Sequence, residues 1–156
     1  MRLGSGERSE VLLWLTRRCV KLLWPLLIKM AESVPHIAQQ AAPEARQALL
    51  GMERERALSQ ANFSKPYAEA GRERPLGAEP IVVARINTGR NEAGKHVIVL
   101  LPHNGQGVTL QVDDILLHGL CKLLQDVVVK AEWDMVLALP TGAMAGSTAA
   151  APRVLN

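Results

Sequence analysis

Four histidines, two cysteines and one pair of adjacent aspartates are the residues best equipped for chemistry in this sequence. Imidazole can act as a base or bind a metal near neutral pH, a thiolate can attack or ligate, and paired carboxylates can hold a hard cation. Their spacing does not gather them. His96 and His103 flank one predicted strand at opposite parity, so they point to opposite faces, and His118 falls on the polar stripe of a predicted helix. His36 stands apart between two prolines. Cys19 and Cys121 sit in apolar helical patterns with no CxxC and no Cys/His ligand spacing. They read as buried thiols in a reducing, cytoplasmic setting. Asp113-Asp114 stand where a helix begins, and acids there cap free amides and suit the helix dipole. A phosphate-binding glycine loop, a zinc-protease helix motif and a nucleophile elbow are all missing. The expectation is therefore of no catalytic, cofactor or metal site, and of a non-enzyme sooner than an enzyme.

The second kind of chemistry is charge. Arg17, Arg18, Arg85, Arg90 and Lys95 are the basic residues that could meet phosphate, the first two at the head of a helix and the others on or near a hairpin. Nucleic-acid binding through these five is the alternative reading. Two features weigh against it. The chain has only three Trp, one Tyr and one Phe, few rings for stacking on bases. Its basic excess is also split: residues 1–32 carry six Lys/Arg against three Asp/Glu, and residues 105–134 carry two against five. A phosphate surface needs continuous positive charge, whereas opposite signs suit association between units. The apolar run near the N-terminus is interrupted by Arg17, Arg18, Lys21 and Lys29, so it falls far short of the roughly 20 residues that span a bilayer.

The elements that must position these residues follow from periodicity. Residues 10–16 read as a strand apolar on both faces, and Thr16 caps a helix running to about Ser33. On that helix Arg18, Lys21, Pro25, Lys29 and Glu32 form one narrow polar stripe, with a kink or break expected at Pro25. Pro43 starts a surface helix over 44–61, with a thin apolar face of Ala45, Ala48, Leu49, Met52 and Ala57. Residues 62–80 form an aperiodic linker, which Phe63 and Tyr67 can pin onto the domain. Strands are expected at 81–88, 96–101 and 108–112, with Asn104-Gly105 marking a hairpin. The middle one, apolar on both faces, belongs at the centre of an antiparallel meander. A helix capped by Asp113 or Asp114 then runs to about Trp133, burying Leu116, Leu117, Leu120, Leu123, Leu124 and Val127. Residues 1–140 thus make one α+β domain, and the small-residue tail 141–156 is expected to be disordered.

Residues 10–32 align without a gap on residues 107–129. Val11, Leu13 and Leu15 match Val108, Leu110 and Val112, while Leu23 and Leu26-Leu27 match Leu120 and Leu123-Leu124. Carried backwards, Met1–Leu3 falls on Ile98–Leu100. The fold class is therefore an antiparallel sheet with helices packed on it, built from two ββα-like pseudo-repeats with the first truncated at its N-terminus. Either the chain starts upstream of Met1 or the first copy is a shortened one. The functional expectation is a non-enzymatic protein–protein interaction or accessory module that forms a homodimer or binds a protein partner. Its candidate interface is the apolar flank Leu22, Trp24, Ile28 and Met30 of the first helix, a helix with too little polar surface to stand free.

Overall fold

The computed structural model describes residues 1–5, 9–64 and 71–139. In chain order they form β1 (Arg2–Ser5), β2 (Ser9–Trp14), α1 (Arg17–Glu32), α2 (Pro35–Ala38) and α3 (Pro43–Gln60). There follow β3 (Ile81–Val82), β4 (Arg85–Arg90), β5 (His96–Leu101), β6 (Val108–Val112) and α4 (Asp114–Lys130). This is an α+β fold. The tail 141–156 and Tyr67 lie outside the described residues.

The strands form two three-stranded sheets, β1-β2-β3 and β4-β5-β6, in place of the single sheet expected. The second is the predicted antiparallel meander, with Ile98 and Leu100 of its central strand buried. The first departs from an all-antiparallel arrangement, because β3 runs parallel to β2. One extended segment causes both differences. Residues 81–90 serve the two sheets in turn: the Val83 amide donates to the Trp14 carbonyl, and the next amide, Ala84, donates to Leu101 on the other sheet. The chain changes partners between those residues, so the expected strand over 81–88 becomes β3 and β4, and β4 continues to Arg90.

Between β5 and β6 the Asn104-Gly105 signal marks a reversal, but not a two-residue turn. Six residues, Pro102 to Gly107, connect the strands, and only Gly105 of the pair is left-handed. A two-residue type I′ turn needs both positions at positive φ.

Two strand–strand–helix segments have the same hairpin register and the same cap position. In the first hairpin Leu3 pairs with Val11 and Arg2 with Leu12. In the second, at the same offset, Leu100 pairs with Val108 and Val99 with Thr109. Thr16 caps α1 by accepting from the Cys19 amide at 3.1 Å, and Asp113 caps α4 by accepting from Leu116 at 2.8 Å. β1 has four residues and β5 six. The strands β2 and β6 nevertheless belong to different sheets.

α1 is the centre of the core, with Leu23 and Leu27 essentially without solvent contact. It passes through the exposed Pro25 without a break, since that position lies on its polar face, where water can reach the Lys21 carbonyl that loses its amide donor. α3 presents Leu50 and Ala57 inward, while the expected face residue Met52 is 66% exposed. Arg46 and Arg54 share the inward side with Leu50 and Ala57 at three- and four-residue steps, their stems packing and their guanidiniums reaching Gln40 and Gln125. The linker is in part a strand edge. Glu73 bridges to Ser9, its carbonyl accepts from the Glu10 amide at 2.9 Å, and Arg74 meets the buried Glu10 carboxylate at 2.7 Å. A buried carboxylate requires such a partner.

Candidate docking surface

α4 carries two apolar stripes, one residue apart in sequence. Leu117, Cys121, Leu124 and Val128 recur at steps of four, three and four, and all four are buried. Leu116, Leu120, Leu123 and Val127 recur at the same steps, turned by about 100° from the first set. Leu116, Leu123 and Val127 are about half exposed, at 49, 50 and 51%, and Leu120 is half-buried. This corrects the expected buried face. The sequence pattern merges both stripes into one arc, and the packing partner decides which is used.

That partner is α3. Its Arg54 donates to Gln125, and Phe63, just beyond its end, lies over Gly119 and beneath the Lys122 ammonium, 6.0 Å from the ring centroid. These contacts pull α4 round so that His118 turns inward. His118 is 4% exposed and not on the polar stripe, and its Nδ1 has no hydrogen-bond partner among the described residues. It borders a cavity of about 300 Å³ shared with Ile28, Leu50, Arg54 and Cys121. Burial holds the His118 pKa below its ordinary 6.5, outweighing Asp114 and Glu53, which raise it, while Arg54 and Arg56 lower it further. Burial also pushes the Cys121 thiol up to about 12, which makes it inert as a nucleophile at neutral pH.

The His118 shift fixes a pH dependence. The unfolded histidine takes up its proton as pH falls through about 6.5, while the folded one resists until lower pH. Stability is therefore complete above that value and declines as pH falls from it toward the folded pKa. His118→Leu is expected to flatten urea-unfolding free energy against pH between about 7 and 5. Part of the slope should persist, because burial and Arg90 lower the His96 pKa too.

The flank of α1 expected to be free is mostly covered. Trp24 and Met30 are buried, Ile28 is half-buried, and only Leu22, at 56%, stands clear. The cover is the segment after α4. The indole of Trp24 donates to the Ala138 carbonyl at 2.9 Å, Gln125 donates to Leu137 at 2.7 Å, and Arg17 donates to the Asp134 carbonyl. That segment has no periodicity to announce it. Its signal was the apolar run MVLAL at 135–139 before Pro140.

The five basic residues do not gather in one place: Arg17 and Arg18 share one cleft, and Arg90 and Lys95 another. Arg18 and Arg85 line a cleft of about 690 Å³ beside Cys19 and Leu26. Arg90 is structural: it donates to the carbonyl and hydroxyl of Ser33, at 3.1 and 2.9 Å, where a cation suits the end of α1. Arg85 and Arg90 stand at opposite ends of β4, about 17 Å apart at strand rise. Lys95 shares its surroundings with Asp113 and Asp114, and Arg17 is engaged with Asp134.

Of the other histidines, His36 meets Glu53 at 3.1 Å, His96 lies 3.4 Å from the Ser33 hydroxyl, and His103 is exposed on a loop. Among the described residues no group of three His, Cys, Asp or Glu could hold a metal ion, and no helix is long and apolar enough to cross a membrane. No family model matches the chain, and no curated protein and no solved structure matches it.

Proposed function

We propose that this protein is a non-enzymatic protein–protein interaction module that works by docking and self-associates. The observation that carries the proposal is the α4 stripe: Leu116, Leu123 and Val127 are half exposed on one helix face at the spacing of a helix-packing seam. Contiguous apolar surface of this kind is costly to leave in water and marks interaction sites on soluble proteins. The interface moves from the α1 flank to α4, because the chain itself covers Trp24 and Met30. The coincident registers of the two hairpins support an internal repeat in which one helix is buried and its counterpart is left to dock. The two free, buried thiols suit a reducing cytoplasm.

Leu123→Glu, compared with Leu22→Glu on the α1 flank, tests this by size-exclusion chromatography with light scattering. The α4 variant is expected to lose association by a factor of at least about ten, the effect of one charge placed in an apolar seam. The α1 variant should keep it. Equal behaviour of the two variants would refute the assignment to α4.

A further inference from the structure

Resting on that reading, we infer that the occupant of the α4 face is a second copy of this chain, joined across a twofold axis by pairing β6 with β6 and α4 with α4.

The first observation is the edge of β6. Among the described residues it pairs only with β5, and the order β4-β5-β6 leaves its other side without a strand. Register says which groups face that side. The Asn91 amide donates to Lys95, so Lys95, Val97, Val99 and Leu101 turn their main chain toward β4. His96, Ile98 and Leu100 turn toward β6, opposite Val112, Leu110 and Val108. The amides and carbonyls of Thr109 and Gln111 are left on the open edge. Two such edges are self-complementary: antiparallel pairing about an axis at Leu110 sets Thr109 against Gln111 of the other copy.

The second observation is internal. The residues of α1 at the same offset as the exposed stripe are Cys19, Leu23, Leu26 and Met30, and Cys19, Leu23 and Met30 are buried. Cys19 and Leu26 line one cleft with residues 83–87, the extension of the strand that occupies the outer edge of β2. In the first segment, then, one strand fills the edge and its extension walls the cleft beside the stripe. In the second, edge and stripe are both open on that same side.

The third is that one axis serves both contacts. α1 starts beside Val83 and Ala84 and ends at Arg90, so it runs with β4 and hence with β6. α4 starts beside Val34 and Val112 and reaches Ile28 at Cys121, so it runs back against both. Leu110 lies about 10 Å from Asp113 at strand rise, and the midpoint of Cys121 and Lys122 lies about 11 Å along α4 from Asp114. The middle of the helix thus comes to the level of Leu110. Antiparallel α4 helices centred there set Leu116 against Val127 and Leu120 against Leu123 of the other copy. Lys130 then meets the other copy's Asp113, at the ends where the helix dipoles also attract.

The test uses the full chain carrying Thr109→Cys and, separately, Gln111→Cys, both exposed positions. Mixed, exchanged and oxidised, the two proteins should give disulfide-linked dimers holding up to about half of the chains, the statistical share of mixed dimers. Either variant alone should give none, because like positions then lie beyond the roughly 7 Å that a disulfide bridges. Linking of Thr109→Cys alone would overturn the register. Association that depends on Leu123 without linking in the mixture would overturn strand pairing while leaving the docking face in place. A monomer at every concentration would overturn both.

Discussion

Trp24→Ala is expected to lower unfolding free energy by about 3–5 kcal/mol, the cost of emptying a buried aromatic site. The indole is 8% exposed, and its Nε1–H holds the Ala138 carbonyl at 2.9 Å. Two losses combine: apolar volume in the middle of α1, and the anchor of the segment 133–139 over it. Hydrogen exchange should show the segment's amides opening more readily than those of β5, whose residues Ile98 and Leu100 lie in the core. Trp24→Phe separates the two, since it keeps much of the volume and loses the hydrogen bond. It should cost less and still loosen residues 133–139. If Trp24→Ala gave a stable monomer with an unchanged midpoint, Trp24 would be an interface residue after all.

Gly107→Ala is expected to destabilise the protein by about 1–3 kcal/mol, the range for forcing atoms into occupied space. A methyl group there would collide with the Leu100 carbonyl oxygen and lie 3.0 Å from the Leu101 Cα, so main chain and not only a flexible side chain must move. The strain falls where β5 hands over to β6, beside the paired residues Leu100 and Val108. Gly105→Ala, at φ 96 with open space around it, should cost less, since it meets backbone strain without collision. Thermal melts of the two variants side by side check the ranking.

What the sequence made legible was governed by short-range rules. Alternation placed the β4-β5-β6 meander, and hydroxyl and carboxylate caps placed the starts of α1 and α4 at Thr16 and Asp113. The shared hairpin register was readable because strand parity fixes which side chains face inward. What escaped was set by contacts distant in sequence. Val83 and Ala84 give their amides to different sheets, and nothing local distinguishes them from neighbours in the run IVVA. α4 offered two equivalent stripes, and Phe63 and Arg54, the latter 71 residues before its partner Gln125, chose between them. For the same reason His118, polar by type, was misplaced on the outer face. The docking surface was therefore visible as residues and invisible as a surface, because exposure depends on which partner the rest of the chain supplies.

The measurement that bears most directly on docking through α4 is sedimentation equilibrium of the unmodified full chain from about 1 to about 100 µM, a range bracketing a micromolar dissociation constant. The expected result is a weight-average mass rising toward that of two chains, with the rise abolished by Leu123→Glu. A mass fixed at one chain across the range would contradict self-association, and a rise that Leu123→Glu leaves intact would contradict the α4 surface.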